Sequence, residues 1–255
     1  MNKKRAQLSH LPFWLVTIIT VFLLFYPALF NFYTHDDFFH LRISKAQNLT
    51  DFVNFFNPTQ GPDDWGYYRP LATQAYYFAG EQLFNFNPVI MHGLAFVLFF
   101  IVVWLVYKLI YKLTNNETLT LAATFLYAIS ATHFSHLYSI ANQELIHAIF
   151  FLGSILFFVK FIKQGKIFNY LGSILFFVLA MTSKEFAIML PICLGLVFGL
   201  LKLTNKIKIS TSQFLVYYLP YLVNFRFVSL FTGFCLWVGG RRFLYLATNT
   251  LGGDQ

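Results

Sequence analysis

Two adjacent carboxylates, Asp36 and Asp37, stand in the stretch Thr34-His35-Asp36-Asp37-Phe38-Phe39-His40, directly after an apolar run at 11–32. A carboxylate at the centre of a membrane helix costs about 2.5–3.5 kcal/mol on insertion scales, so this pair belongs at a water interface or in a wet cavity. There it could serve as a general base. The plain alternative is a solvated helix cap, since Asp commonly begins helices.

Three other clusters bear on that choice. Tyr67-Tyr68-Arg69-Pro70-Leu71 sets a guanidinium among aromatics; the alternative is an interfacial belt with a snorkelling Arg. His133, His136, Asn142, Glu144 and His147 fall within one segment. Residues three apart share a helix face, and Glu144 with His147 has the spacing of half a carboxylate-bridged metal site. The other half is missing, so these residues, with His35 and His40, are read as the polar lining of a cavity, and no metal is expected. Ser183-Lys184-Glu185 places a cation and a carboxylate between two apolar runs, as a hairpin turn would too.

The four clusters together fit one chemistry. A carboxylate takes a proton from a hydroxyl acceptor. Arg69 and Lys184, with Tyr68 and Glu185 beside them, hold a phosphate, the guanidinium matching its geometry with a planar fork. Cations stabilise the charge that develops on a leaving phosphate. The parts suit transfer of a sugar from a lipid phosphate, through an oxocarbenium-like transition state.

Those residues need a membrane scaffold, and the composition supplies one. Hydrophobic residues make up 58% of the 255, aromatics 21%, and charged residues only 11%, against about 25% charged in soluble domains. The chain is therefore an all-α membrane protein with several helices. A net charge of +8 would suit nucleic acid, but the basic residues sit at the ends of apolar runs, where they set topology. No nucleic-acid partner is expected. Cys193 and Cys235 fall within apolar runs and are read as small buried residues, not a disulfide.

Apolar runs are expected to span at 11–32, 88–113, 119–131, 144–162, 167–182 and 186–201, with a seventh candidate at 214–238. The first run is too long for a signal-peptide core and lacks a small-residue cleavage site, so it is read as an uncleaved anchor. The organisation is then a basic cytoplasmic tail, 1–10; a transmembrane core, 11–203, with a large outer loop, 33–87; and an atypical tail, 204–255. With the amino terminus in the cytoplasm, Lys108, Lys112, Lys160, Lys163, Lys166, Lys202, Lys206 and Lys208 all fall on the cytoplasmic side, as the positive-inside rule asks. The four clusters then share the outer face. Ionisable residues brought to one face from separate loops mark a functional site.

At these residues the chain resembles the polytopic glycosyltransferases of the GT-C fold that use lipid-phosphate sugars, the protein O-mannosyltransferases and their tetratricopeptide-repeat transmembrane relatives among them. The resemblance rests on His35-Asp36-Asp37, Tyr68-Arg69-Pro70-Leu71, the segment 133–144 and Ser183-Lys184-Glu185-Phe186 in that order, over about residues 10–200. It implies an inverting transfer from a polyprenyl-phosphate sugar, with a base supplied by the acidic pair, and a membrane lipid and a hydroxyl-bearing acceptor as partners. The donor is a substrate; no cofactor is implied. Members of that family are usually longer, and Arg226, Arg241 and Arg242 break the charge rule, so the tail is read as truncated or frameshifted. Two readings of other classes compete: a non-catalytic subunit that binds lipid phosphate, which would not need the aspartates, and a transporter, whose internal repeats or broken midplane helices are not seen.

Overall fold

A computed structural model describes residues 10–57, 68–207 and 209–222, and among them all regular structure is helical. Helix α1 (Leu11–Phe25) continues as a 3₁₀ turn, Tyr26–Phe30. The described residues of the loop at 33–87 are largely helical. The loop carries α2 (His35–Ile43), α3 (Leu49–Asn54), and a π-helical turn, Pro70–Ala75, that feeds α4 (Tyr76–Phe84). Then come α5 (Pro88–Thr114), α6 (Glu117–Ala128), a 3₁₀ turn, Ala131–His133, with the one-turn α7 (Phe134–Leu137), α8 (Gln143–Gln164), α9 (Ile167–Met181), and a 3₁₀ turn, Glu185–Met189, leading into α10 (Leu190–Leu203). Residues 211–222 are again helical.

Local chemistry sets these boundaries. Asn87 and Asn116 cap the starts of α5 and α6 by accepting from Ile90 N at 3.3 Å and Leu119 N at 3.0 Å, as short polar caps do. Asn115 and Gly165 end α5 and α8 in the left-handed region, at φ 56° and 70°, where a glycine or asparagine costs least.

Among the described residues, four helical segments are long and apolar enough to cross a membrane: Leu11–Phe30, Pro88–Thr114, Gln143–Gln164 and Glu185–Leu203. At 12 and 15 residues, α6 and α9 are shorter than the roughly 20 a perpendicular span needs. The expected runs at 119–131 and 167–182 are therefore helices, but not full-length ones. The second half of the seventh candidate, most of the 204–255 tail, the 1–9 tail and Cys235 lie outside the described residues. Cys193 is a half-buried free thiol.

The helices alternate between two ends. At one end Lys163 Nζ donates to Lys112 O at 2.8 Å, Lys206 Nζ to Leu113 O, and His10 meets Glu117 at 3.3 Å. The lysines there neutralise carbonyls at the end of α5, where the helix dipole is negative. The opposite end gathers the starts of α5 and α8, the end of α9 and the loop helices. Asn31 donates to Tyr138 O at 3.2 Å, and His92 Nδ1 to Leu137 O at 3.0 Å.

Helices α8 and α9 make the tightest seam. Ser154 Oγ donates to Ser173 O at 2.9 Å, Ser173 Oγ returns to Ser154 O at 2.8 Å, and Tyr221 OH reaches Ser173 Oγ at 2.6 Å. Without water to compete, such reciprocal bonds and small residues let helices approach closely. Gly153 lies against the Phe176 ring, and a Cβ there would fall 2.3 Å from Phe176 Cδ1. Gly153→Ala is expected to cost about 1–3 kcal/mol by overpacking and to lower the melting temperature in detergent. Gly93→Ala meets nothing within 4 Å and should melt like the wild type. Equal melting of all three proteins would mean the seam is looser than described.

Candidate functional site

Helix α2 separates the two aspartates. Thr34 is its N-cap, and Asp37 at the third helical position reaches back to accept from Thr34 N at 2.8 Å and Thr34 Oγ1 at 3.0 Å. This is a capping box with Asp in the usual Glu place. Asp37 is 1% exposed, and its other oxygen accepts from Tyr77 OH at 2.7 Å. Burial, then the Asp37 charge, pushes the Tyr77 phenol well above its ordinary value, so it stays a donor. Asp36, about 100° round the helix, is exposed instead and makes no hydrogen bond among the described residues.

Asp36 faces a cavity of about 560 Å³ lined also by Phe39, His40, Arg69, Ser135, His136, Ser139, Ala141, Gln143 and Glu144. Five pieces of chain meet there. Helix α2 brings Asp36, Phe39 and His40. The residue before the π turn brings Arg69, the α7 segment Ser135 and His136, the link to α8 Ser139 and Ala141, and the first turn of α8 Gln143 and Glu144. A π-helical turn is uncommon and is found most at functional sites; here it is pinned by Leu71 N donating to Thr182 O at 3.0 Å. Burial depresses the basicity of His40 and His136 below the ordinary histidine value.

The cations expected to hold a phosphate are engaged by carboxylates. Arg69 grips both oxygens of Glu185, through Nε at 2.7 Å and through Nη2, and donates from Nη1 to Gln143 Oε1. Lys184 Nζ pairs with Glu144 Oε1. Both cation side chains are mostly buried, 14% and 13% exposed, and a buried cation requires a counter-charge. The carboxylates are the wetter partners, at 36% and 41%.

The other expected residues stand around the cavity, not in its wall. Asn142 is buried and donates to Tyr76 OH at 2.9 Å; burial foremost raises that phenol to about 12. His133 Nε2 donates to Tyr127 O at 2.7 Å, its ring packed against Phe99. His147 Nδ1 donates to Ala180 O at 3.3 Å. Tyr68 OH turns aside to Phe56 O at 2.9 Å. The His35 side chain lies outside the described residues. No three His, Cys, Asp or Glu side chains among the described residues cluster as a metal site would. Gln143, Ser135, Ser139, Phe39, Tyr76 and Tyr77 complete the arrangement without having been singled out in the sequence. The signal for Gln143 was present: an amide beside Glu144 at the mouth of an apolar helix.

A helical membrane protein with a carboxylate-walled cavity at one end of its bundle is the class these features define. Over residues 69–234 the chain matches the dolichyl-phosphate-mannose-protein mannosyltransferase family, and it belongs to that family. No curated protein matches the chain. The matched segment takes in Arg69, Gln143, Glu144, Lys184 and Glu185 but begins after Asp36 and Asp37. Asp36 joins that segment through the cavity, and Asp37 through its bond from Tyr77.

Proposed function

We propose that the protein transfers a sugar from a polyprenyl-phosphate donor to a hydroxyl acceptor at the outer face of the membrane, with Asp36 as general base. Family membership supports glycosyl transfer; the observation that carries the residue assignment is Asp36 exposed in a cavity whose wall α2, with Phe39 and His40, shares with Arg69, His136, Gln143 and Glu144 of the family-matched segment. Asp36 takes the acceptor proton as the hydroxyl oxygen bonds to the anomeric carbon. The bond from that carbon to the phosphate oxygen breaks on the opposite face, and its electron pair leaves with the lipid phosphate. Inversion follows from that in-line geometry. Arg69 is in the cavity wall but held by Glu185, and Lys184 lies behind Glu144, so a phosphate that binds either cation must compete with its carboxylate. No metal and no cofactor enters this reading.

Six or seven spans accompany it. The short α6 and α9 each run from the lysine end to the site end, about 18 and 22 Å of helix at 1.5 Å per residue, and the adjoining turns complete the crossing. The lysine end is cytoplasmic by the charge rule. Ser183 is fully buried, so Gln82 and Gln164, both exposed, are the better reporters. In a background lacking Cys193 and Cys235, an impermeant maleimide on intact cells should label a cysteine at 82 and not one at 164. The reverse pattern would put the cavity in the cytoplasm.

The activity test uses the full chain in liposomes with polyprenyl-phosphate mannose carrying a labelled sugar. Label moving to a hydroxyl acceptor with release of the lipid phosphate is the expected result. Donor binding without transfer would overturn the enzyme and favour a lipid-binding subunit.

A further inference from the structure

We infer that Gln143 is a positioning residue for the transfer proposed above: its amide, oriented by Arg69, holds His40 as a neutral ring protonated on Nδ1, and so keeps the Asp36 carboxylate clear of an imidazolium partner.

A guanidinium has five N–H donors and no acceptor. The atom of Gln143 that meets Arg69 Nη1 is therefore its oxygen, and its NH₂ group must point the other way. It points at His40 Nε2, 3.1 Å away. An NH₂ group only donates, so Nε2 must offer its lone pair, and the single proton of the neutral ring resides on Nδ1. Turning the amide over would set NH₂ against the guanidinium. Arg69 cannot yield, because Glu185 grips it at two points. Gln143 and His40 are 4% and 7% exposed, so water does not compete for either contact.

The charges around the ring would otherwise divide. Asp36 and Asp37 on its own helix and Glu144 on α8 favour an imidazolium; burial, the largest influence, and Arg69 oppose it. The Tyr77 ring packs at 5.2 Å. Burial tips the ring toward the neutral form, and the Gln143 amide reinforces it and fixes the tautomer by occupying Nε2 with a donor. The consequence falls on Asp36. It lies four residues before His40, on the same face of α2, and both line the cavity. An imidazolium there would pair with Asp36 and weaken it as a base.

Gln143→Glu tests this, because a carboxylate at 143 accepts from Arg69 and from a protonated His40 alike. The full chain, labelled with ¹⁵N-histidine in nanodiscs, reports the tautomer by NMR, with His40→Asn assigning the resonance. Wild-type His40 is expected to carry its proton on Nδ1 and to stay neutral at pH 6; the Gln143→Glu ring is expected to be an imidazolium at pH 7. Sugar transfer by Gln143→Glu should fall about tenfold at pH 7, with the acid limb of the rate profile moved up by about two pH units or more. His40→Asn added to Gln143→Glu should restore transfer to within about threefold of His40→Asn alone, a factor worth less than 1 kcal/mol. A merely structural glutamine would lower the melting temperature, leave the acid limb in place and show no such rescue. Wild-type His40 protonated on Nε2, or loss in Gln143→Glu that persists with His40→Asn, overturns the inference. Absent transfer by the wild type would sink the proposed function alone, since the tautomer is read without turnover.

Discussion

Asp36→Asn is expected to lower sugar transfer by about 10²–10⁴-fold, the usual loss on removing a general base, with donor binding and melting temperature little changed. The carboxylate is exposed in the cavity, so its loss breaks no packing. Asp37→Asn should do the opposite. One of its oxygens receives Tyr77 OH and the other receives Thr34. An amide offers one acceptor where two are used and turns its NH₂ toward a donor. Leaving a buried donor unmet costs about 1–3 kcal/mol, which should appear as a lower melting temperature and a modest fall in rate. Initial rates and thermal unfolding on the same preparations separate the two. Wild-type turnover in both variants would remove acid–base chemistry from this loop, and Asp37→Asn alone losing turnover with unchanged melting would move the base to position 37.

Arg69→Ala should be the most destabilising single change at the site. It strips Glu185 of both its partners and frees the Gln143 amide at once. Breaking a fully buried pair costs about 3–5 kcal/mol; with Glu185 36% exposed, water recovers part of that, and about 2–3 kcal/mol is expected. Adding Glu185→Ala removes the orphaned carboxylate, so the double variant should melt above Arg69→Ala alone. Strictly additive losses would show that the two side chains do not depend on each other. Arg69→Lys should rescue little, since one ammonium cannot reproduce a two-point grip.

The long apolar helices were legible because a membrane solvent leaves a strong signal: twenty or so residues without charge. Capping residues such as Asn116 and Gly165 marked the breaks between them. The outer loop was not legible. Its helices, α2 of 9 residues and α3 of 6, are too short for a hydrophobic period to register, and their aromatics read equally well as an interfacial belt. The difference between Asp36 and Asp37 is a matter of one helical step, and only the Thr34 cap fixes which of them turns inward. The cations were found and their partners were not. Glu185 adjoins Lys184 in the chain, yet it serves Arg69, while Lys184 reaches Glu144. Adjacent residues leave a backbone in different directions, so neighbourhood in sequence predicts nothing about which charges meet. Gln143 stood in view beside Glu144, but nothing in the sequence set its amide opposite a guanidinium 74 residues away.

The distance along the chain between Arg69 and Glu185 has a consequence for biogenesis. The two are 116 residues apart. At 5–20 residues per second of synthesis, roughly 6–23 s pass after Arg69 is made before its counter-ion exists. Through that interval the loop carries a cation whose carboxylate has not yet been made, so its charge must be met by water or lipid headgroups. The π turn can dock against the α9 hairpin tip only once that tip has been translated and inserted. The Arg69 corner of the cavity wall is thus fixed only once the ribosome has passed residue 185, and an insertion intermediate halted earlier would present that corner open to the quality-control machinery of the membrane.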